Sequence, residues 1–419
     1  MSKFISKICL LAMIGLPLVS NSQTQTLNWL EDINYYAEKV KSKHINPFHK
    51  LSESEFDTRL AKLKAELGTL TEIQIETRLL GLTAALGDGH SNYFMMSGKH
   101  RHLPLRFKYF GNELRIVAAT DDYQHLLGST LVSINGVETP ELFDRVKHYL
   151  VGVDNQFSRK VRFEYYLTLT KLLIGLDILK DGEKAEIVTK KTNKLHTDNI
   201  ESVPMKIFGN IESPYVTRSP AVELNDIGMP GIKLGLIDNS IAYFRFRHYP
   251  EFEQVVEQCS ALQAKLSSSK AEHFIIDFRG NGGGSFYSGL AFSSCLLPIE
   301  HFDWLTGGVV LTDGHTFSAA MSNAVQFKQL LNARVIGEST GGDPNAYSEN
   351  YNFELPNSKR KLSLSIRYYP FIEQQTDALY PDIHVSPSWQ EYEEGVDAVL
   401  LKALEMLNSS NKKNQYSYQ

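Results

Sequence analysis

The segment FIIDFRGNGGGS at 274–285 constrains the fold more than any other stretch of the chain. Its run FIIDF, apolar but for Asp277, reads as a strand covered on both faces, as in a parallel sheet flanked by helices. The chain then turns through Gly280, Gly282, Gly283 and Gly284 into a helix near 285–296. A turn of this kind tolerates positive φ and presents backbone N–H groups at a helix N-terminus, where an anion or a developing oxyanion is stabilised. Nucleotide binding is the rival use. It is disfavoured because no Lys-Ser/Thr follows, as a P-loop needs, and Ser285 occupies the third glycine position of the dinucleotide fingerprint.

Strands and helices alternate around this segment. IAYFRF at 241–246 is a strand, a helix follows at about 251–267, and GVVLTD at 308–313 is another strand leading into a helix from Thr316 to Leu331. ARVIGES at 333–339 and KLSLSI at 361–366 extend the repeat, and a last helix is expected at about 391–407. The alternation predicts an α/β fold with a mainly parallel sheet. Residues 409–419 form a polar tail, expected to be disordered.

The first part of the chain differs. Leu30, Ile33, Ala37 and Val40 recur at helical spacing, and Ser52 with Glu55 marks a capping box ahead of Phe56, Leu60, Leu63 and Leu67. A third helix from about Thr71 places Ile75, Leu79, Leu82 and Leu86 on one face; Gly87 stops it, and His90 follows in the loop LGDGHSNYF. From about 103 the pattern becomes strand-like, with LPLRFKYF and ELRIVAAT around Gly111-Asn112. A further strand, an Asn135-Gly136 turn and a helix carrying Leu142, Phe143, Val146 and Leu150 come next. This is a PDZ-like signature, and such modules take an extended peptide at a sheet edge; an inert β-rich spacer is the alternative.

The expected organisation is a signal peptide at 1–22, an N-terminal helical domain at 23–100 and a PDZ-like domain at 101–200. A linker or rim at 201–238, a core domain at 239–408 and a disordered tail at 409–419 complete it. Lys3 and Lys7, the apolar stretch Ile8–Val19 and the small residues Ser20 and Ser22 carry the signal-peptide reading, which predicts a periplasmic or secreted protein without a membrane span once cleaved. The formal net charge is -5 and no basic run occurs, which argues against nucleic acid or an anionic membrane surface as partner. Cys259 and Cys295 remain after cleavage. They have no metal-like spacing and read as two buried thiols, although an oxidising compartment would allow a bridge.

The second chemical segment is VVLTDGHTFSAAMSNA at 309–324, a strand running into a helix whose first turn carries Ser318. A serine there is ordinarily only an N-cap. Beside a glycine turn on the same sheet it becomes a candidate nucleophile, because the helix N-terminus stabilises negative charge next to it.

The turn RGNGGG (279–284), TFSAA (316–320), VIGESTGG (335–342), Asp-Gly-His (88–90) and Pro381-Asp382-Ile383 occur in the order seen in one group. The chain resembles the C-terminal-processing peptidases, tricorn core proteases and interphotoreceptor retinoid-binding repeats. The resemblance implies a ClpP/crotonase-like core and peptide-bond hydrolysis by acyl transfer, with Ser318 as nucleophile and no metal or organic cofactor. In the Ser–Lys branch a lysine follows the serine by about 25 residues; that position here falls in Gly341-Gly342-Asp343, without a lysine. The tricorn-like branch instead implies His90 as general base, with His315 as its rival. The acid supporting the histidine would be Asp377, at the family spacing, or Glu373. Backbone N–H groups of Gly282 or Gly283 and of Ala319 would form the oxyanion hole. Peptide or protein is then the expected substrate. A non-catalytic carrier of a hydrophobic ligand or peptide is the alternative from a different class, and an esterase is a third reading.

Overall fold

The computed structural model describes residues 28–416, with side chains to Ser409. The expected signal peptide at 1–22 lies outside the described residues. Three helices come first, Trp29–Lys43, Glu53–Glu66 and Glu72–Ala84. Each starts on a side-chain cap: Asn28 accepts from the Glu31 amide, Ser52 from Glu55, and Thr71 exchanges both bonds of a capping box with Gln74. Their apolar faces are buried through Ile33, Val40, Phe56, Leu60, Ile75 and Leu79, but Leu30 stands outside, with Tyr36 filling the core instead.

Residues 105–200 form an antiparallel sheet of Leu105–Phe110, Glu113–Ala119, Thr130–Ile134, Ala185–Lys191 and Lys194–Ile200, in that spatial order. The helices Thr139–Val146 and Gln156–Tyr166 belong to the same region. The Asn135-Gly136 turn has positive φ at both residues, the geometry that matches strand twist in a two-residue hairpin. This sheet does not have its own core. Ile33, Phe56 and Leu79 of the helices share one apolar cluster with Leu105, Ile116 and Ile187 of the sheet.

The second half is built on a seven-stranded sheet. Ile241–Phe246, His273–Asp277, Gly308–Thr312, Arg334–Gly337 and Ile383–His384 run parallel. Alternate side chains serve opposite faces. Phe274, Ile276, Val310 and Val335 meet the helices Phe252–Ser267, Phe286–Leu296 and Ala319–Leu331, whereas Ile275, Val309, Leu311 and Ile336 meet Val399, Leu400 and Ala403 of the last helix. Covering both faces is why the middles of these strands are apolar. The chain is thus a mixed α/β fold.

Four sequence expectations are revised. The stretch 201–238 is more than a linker: Asn225–Asp226 and Ile232–Ile237 extend the core sheet in antiparallel fashion, with Ile232 and Leu234 buried. Flanking glycines and prolines diluted that signal in the sequence. KLSLSI is a strand but not part of the parallel repeat. Lys361–Pro370 pairs antiparallel with Asn345–Glu354 and with Asn92–Tyr93 in a separate sheet, as its Leu/Ser alternation permits. The final helical region is two helices, Trp389–Glu394 and Ala398–Tyr416, parted by left-handed Gly395, so the backbone stays helical through most of the expected disordered tail. Cys259 and Cys295 are bridged, with Cα atoms 5.4 Å apart, tying two helices on one face of the sheet. Their spacing in the sequence holds no trace of this, because the two helices meet only through tertiary packing.

Candidate active site

Ser318 stands where the strand Gly308–Thr312 has turned into the helix Ala319–Leu331. Its backbone is left-handed, φ 49° and ψ -127°, and its side chain caps nothing. Such a conformation costs a non-glycine residue about 1–3 kcal/mol and persists only where surrounding structure enforces it. The enforcement is visible. Asp313 accepts from the amides of His315 and Thr316 at 2.9 and 3.1 Å and from Gly280 at 3.0 Å. Thr316 Oγ1 donates to the Phe278 carbonyl at 3.1 Å, and the Phe317 amide donates to the Asn281 carbonyl at 3.1 Å. The serine turn and the glycine turn are therefore one stitched unit. Asp313 and Asn281 escaped the sequence reading, although the Asp-x-x-Thr spacing is a turn signal in its own right.

Gly283 is where only glycine fits: at φ 106° an added Cβ would lie 2.6 Å from Ser318 Cβ and 2.9 Å from the Phe317 carbonyl oxygen. Its amide is already committed, donating to Asn281 Oδ1 at 2.9 Å, and Asn281 is fixed in turn by donating to the Phe246 carbonyl. This revises the expected oxyanion donors. Gly282 and Gly284 are both exposed, and Gly284 lines the cavity together with Ala319.

His90 arrives from the other half of the fold, between the third helix and Asn92–Tyr93. Its Nε2 lies 3.0 Å from Ser318 Oγ. Ser348 Oγ is 3.4 Å from the same nitrogen, and the Phe317 ring packs against the imidazole with centroids 5.5 Å apart. Burial holds the His90 pKa below its ordinary value of 6.5, against the opposing charge of Asp88, so the ring is neutral near pH 7 and able to accept a proton. Nδ1 is buried and makes no hydrogen bond among the described residues; the Tyr347 carbonyl acts on the ring from outside that geometry.

The other sequence candidates are not at the imidazole. The Asp377 carboxylate accepts from the Tyr380 hydroxyl at 2.9 Å, while its backbone carbonyl is held by Asn155 at 2.7 Å. Glu373 is exposed. The charged groups that act on His90 are Asp88, Glu349 and Arg162. His315 sits with Lys108 and Glu164 at a different cavity.

Ser318 and His90 open into a cavity of about 450 Å³, with Phe286, Tyr287, Met321 and Phe371 as apolar wall and Asp154, Asp343 and Glu349 as acidic groups. Burial pushes the Asp154 carboxyl up to about 8, so it is largely protonated at neutral pH. Among the described residues no His, Cys, Asp and Glu cluster has the makings of a metal site, and no helix is long and apolar enough to cross a membrane.

Residues 240–306 match the model of peptidase family S41, a span containing the buried strand and the glycine turn but neither Ser318 nor His90. No curated protein sequence matches this one. Among solved structures, mature CPAF complexed with lactacystin is similar over 92% of this chain and 99% of its own, with TM-score 0.65 and 12% identity. Mature CPAF on its own is similar over 91% and 98%, with TM-score 0.60 and 12% identity. Identity this low speaks for shared fold alone. The chain is thus similar to serine peptidases of family S41 over residues 240–306 and shares its fold with CPAF over most of its length.

Proposed function

We propose that the chain is an exported endopeptidase or carboxy-terminal-processing-like peptidase that cleaves peptide bonds by Ser–His acyl transfer. The 3.0 Å approach of His90 Nε2 to Ser318 Oγ carries this reading. His90 takes the hydroxyl proton while Oγ attacks the scissile carbonyl carbon, and the carbonyl electrons move onto oxygen. The oxyanion rests on the Ala319 amide at the N-terminus of its helix and on the glycine turn, with Gly284 at the wall. On collapse, His90 returns the proton to the leaving amine, and water then releases the acyl group by the same route.

The core corresponds to a ClpP/crotonase-like domain, a reading supported by its run of parallel strands and by the serine turn at their ends. The antiparallel region corresponds to a PDZ-like module. Support comes from a cavity of about 600 Å³ beside Leu114, Leu131 and Phe143, between the sheet and the helix Thr139–Val146, where an extended peptide would lie. Export is supported by the leader-like composition of residues 1–22 and by a disulfide suited to an oxidising compartment. Cell fractionation tests it: recovery in the periplasm or medium is expected, and retention in the cytosol overturns it.

A fluorophosphonate probe tests the catalytic reading. It should label the wild type and spare both Ser318→Ala and His90→Ala. Absence of labelling in the wild type would favour a carrier of the same fold, and turnover of esters without any hydrolysis of matched amides would favour an esterase.

A further inference from the structure

A neutral imidazole that becomes charged in the transition state needs a compensating carboxylate, and neither Asp377 nor Glu373 supplies one. Asp88, two residues before the base, is buried and accepts four hydrogen bonds. Its Oδ1 takes the backbone amides of His90 at 3.1 Å and Ser91 at 2.7 Å, together with the Ser365 hydroxyl. Its Oδ2 faces His44 Nε2 at 3.0 Å. The Asn46 amide donates to His44 Nδ1 at 2.9 Å, so Nε2 carries the proton and donates to Asp88. With these donors the carboxyl is held at about 2 although burial alone would raise it, and it stays ionised throughout the working range.

The same frame grips His90 from its other side. Ser363 donates to the His90 carbonyl at 2.8 Å, and the Ser365 amide donates to Ser91 Oγ at 3.3 Å. Ser363 and Ser365 lie two apart on one strand, hence on one face, and both are fully buried. The base thus sits on a backbone clamped between a permanent negative charge and a serine-lined strand face.

Resting on the Ser–His reading above, we propose that Asp88 is the positioning acid of this peptidase. It orients His90 through the main chain and stabilises the imidazolium through its field, without a hydrogen bond to the ring, and His44 and Ser365 hold Asp88 in place. The other charged groups facing the imidazole are Glu349 of the hairpin and Arg162 of the helix Gln156–Tyr166, while Asp154 and Asp343 stand in the same cavity. Lys50, packed on Gly87, approaches from the Asp88 side.

The test compares steady-state kinetics of the full chain and its Asp88→Asn, Asp377→Asn and Ser318→Ala variants across pH 4–9, on a peptide the wild type cleaves. Asp88→Asn should lower kcat by about 10²-fold with KM changed less than about threefold, since Asp88 is outside the cavity wall. Removing the negative charge also lowers the His90 pKa, so the acid limb of kcat/KM should move to lower pH. A residue with a merely structural role would leave that limb in place. Asp377→Asn should stay within about threefold of wild type. Equal loss in Asp377→Asn, or an unmoved limb in a folded Asp88→Asn, overturns the proposal. Should Asp88→Asn not fold, Ser365→Ala keeps the carboxylate and removes one donor; a kcat loss of about threefold to tenfold is then expected, and unchanged kcat overturns the proposal. Activity that survives Ser318→Ala would instead defeat the Ser–His reading itself.

Discussion

The two halves of the proposed Ser–His pair are held in opposite ways. Ser318 is set by two short turns, 278–284 and 313–318, that terminate neighbouring parallel strands and are sewn together by Asp313, Thr316 and Asn281. His90 is set by partners more than 270 positions away in sequence, Ser363 and Ser365, and by a carboxylate pinned by His44 at the end of the first helix. The serine side is a local device, held by bonds between two adjacent turns. The histidine side depends on docking the hairpin onto the helical region. Activity is therefore expected to fail first where that docking is loosened, before the core unfolds.

The strongest challenge to this picture is Ser318→Ala, expected to reduce kcat by about 10⁴-fold or more with the fold unchanged by circular dichroism. Gly283→Ala probes the serine side by geometry alone. A methyl group 2.6 Å from Ser318 Cβ must displace the nucleophile, and a shift approaching 1 Å is expected to cost about 10²-fold in kcat. Ser363→Ala probes the histidine side. Freeing the buried His90 carbonyl costs about 1–3 kcal/mol locally, and activity should fall several-fold while the core's thermal transition hardly moves. Equal damage to core stability would show that the two halves are not independent. The pH profile sharpens the same point. His90 must be neutral to act, and burial holds its pKa below 6.5, so the acid limb of kcat/KM should be centred below that pH. A limb above it would mean that the surrounding carboxylates outweigh desolvation. The smallest effect on catalysis is expected from Cys259→Ser. The bridge spans 36 residues and neither cysteine lines the cavity, so its loss should cost about 3 kcal/mol of stability and leave kcat within about twofold.

What could be read in advance follows this division. The apolar run at 274–278 and the glycines after it specify a covered strand and a turn in which Gly280 and Gly283 take positive φ, so the core and the serine turn are legible from local pattern. The Leu/Ser alternation of 361–366 announces a strand but not its neighbours, because period-2 patterning says which face is apolar and nothing about pairing. The same limit hid Asn225–Asp226 and Ile232–Ile237 within an apparent linker. Nor could such patterning show that the Asp377 carboxylate would meet Tyr380, since spacing along the chain carries no information about which way a loop folds.

The sequence by itself determined the chemistry available: a hydroxyl at a helix start, a glycine-rich anion nest and an imidazole after a helical region. Tertiary structure alone decided the 3.0 Å meeting of His90 with Ser318 and the hold of Ser363 on His90 and of Ser365 on Asp88. The physical reason is range. Backbone conformation and burial periodicity are set by adjacent residues, whereas hydrogen bonds across 228 to 277 positions exist only once two packed halves have fixed each other's orientation.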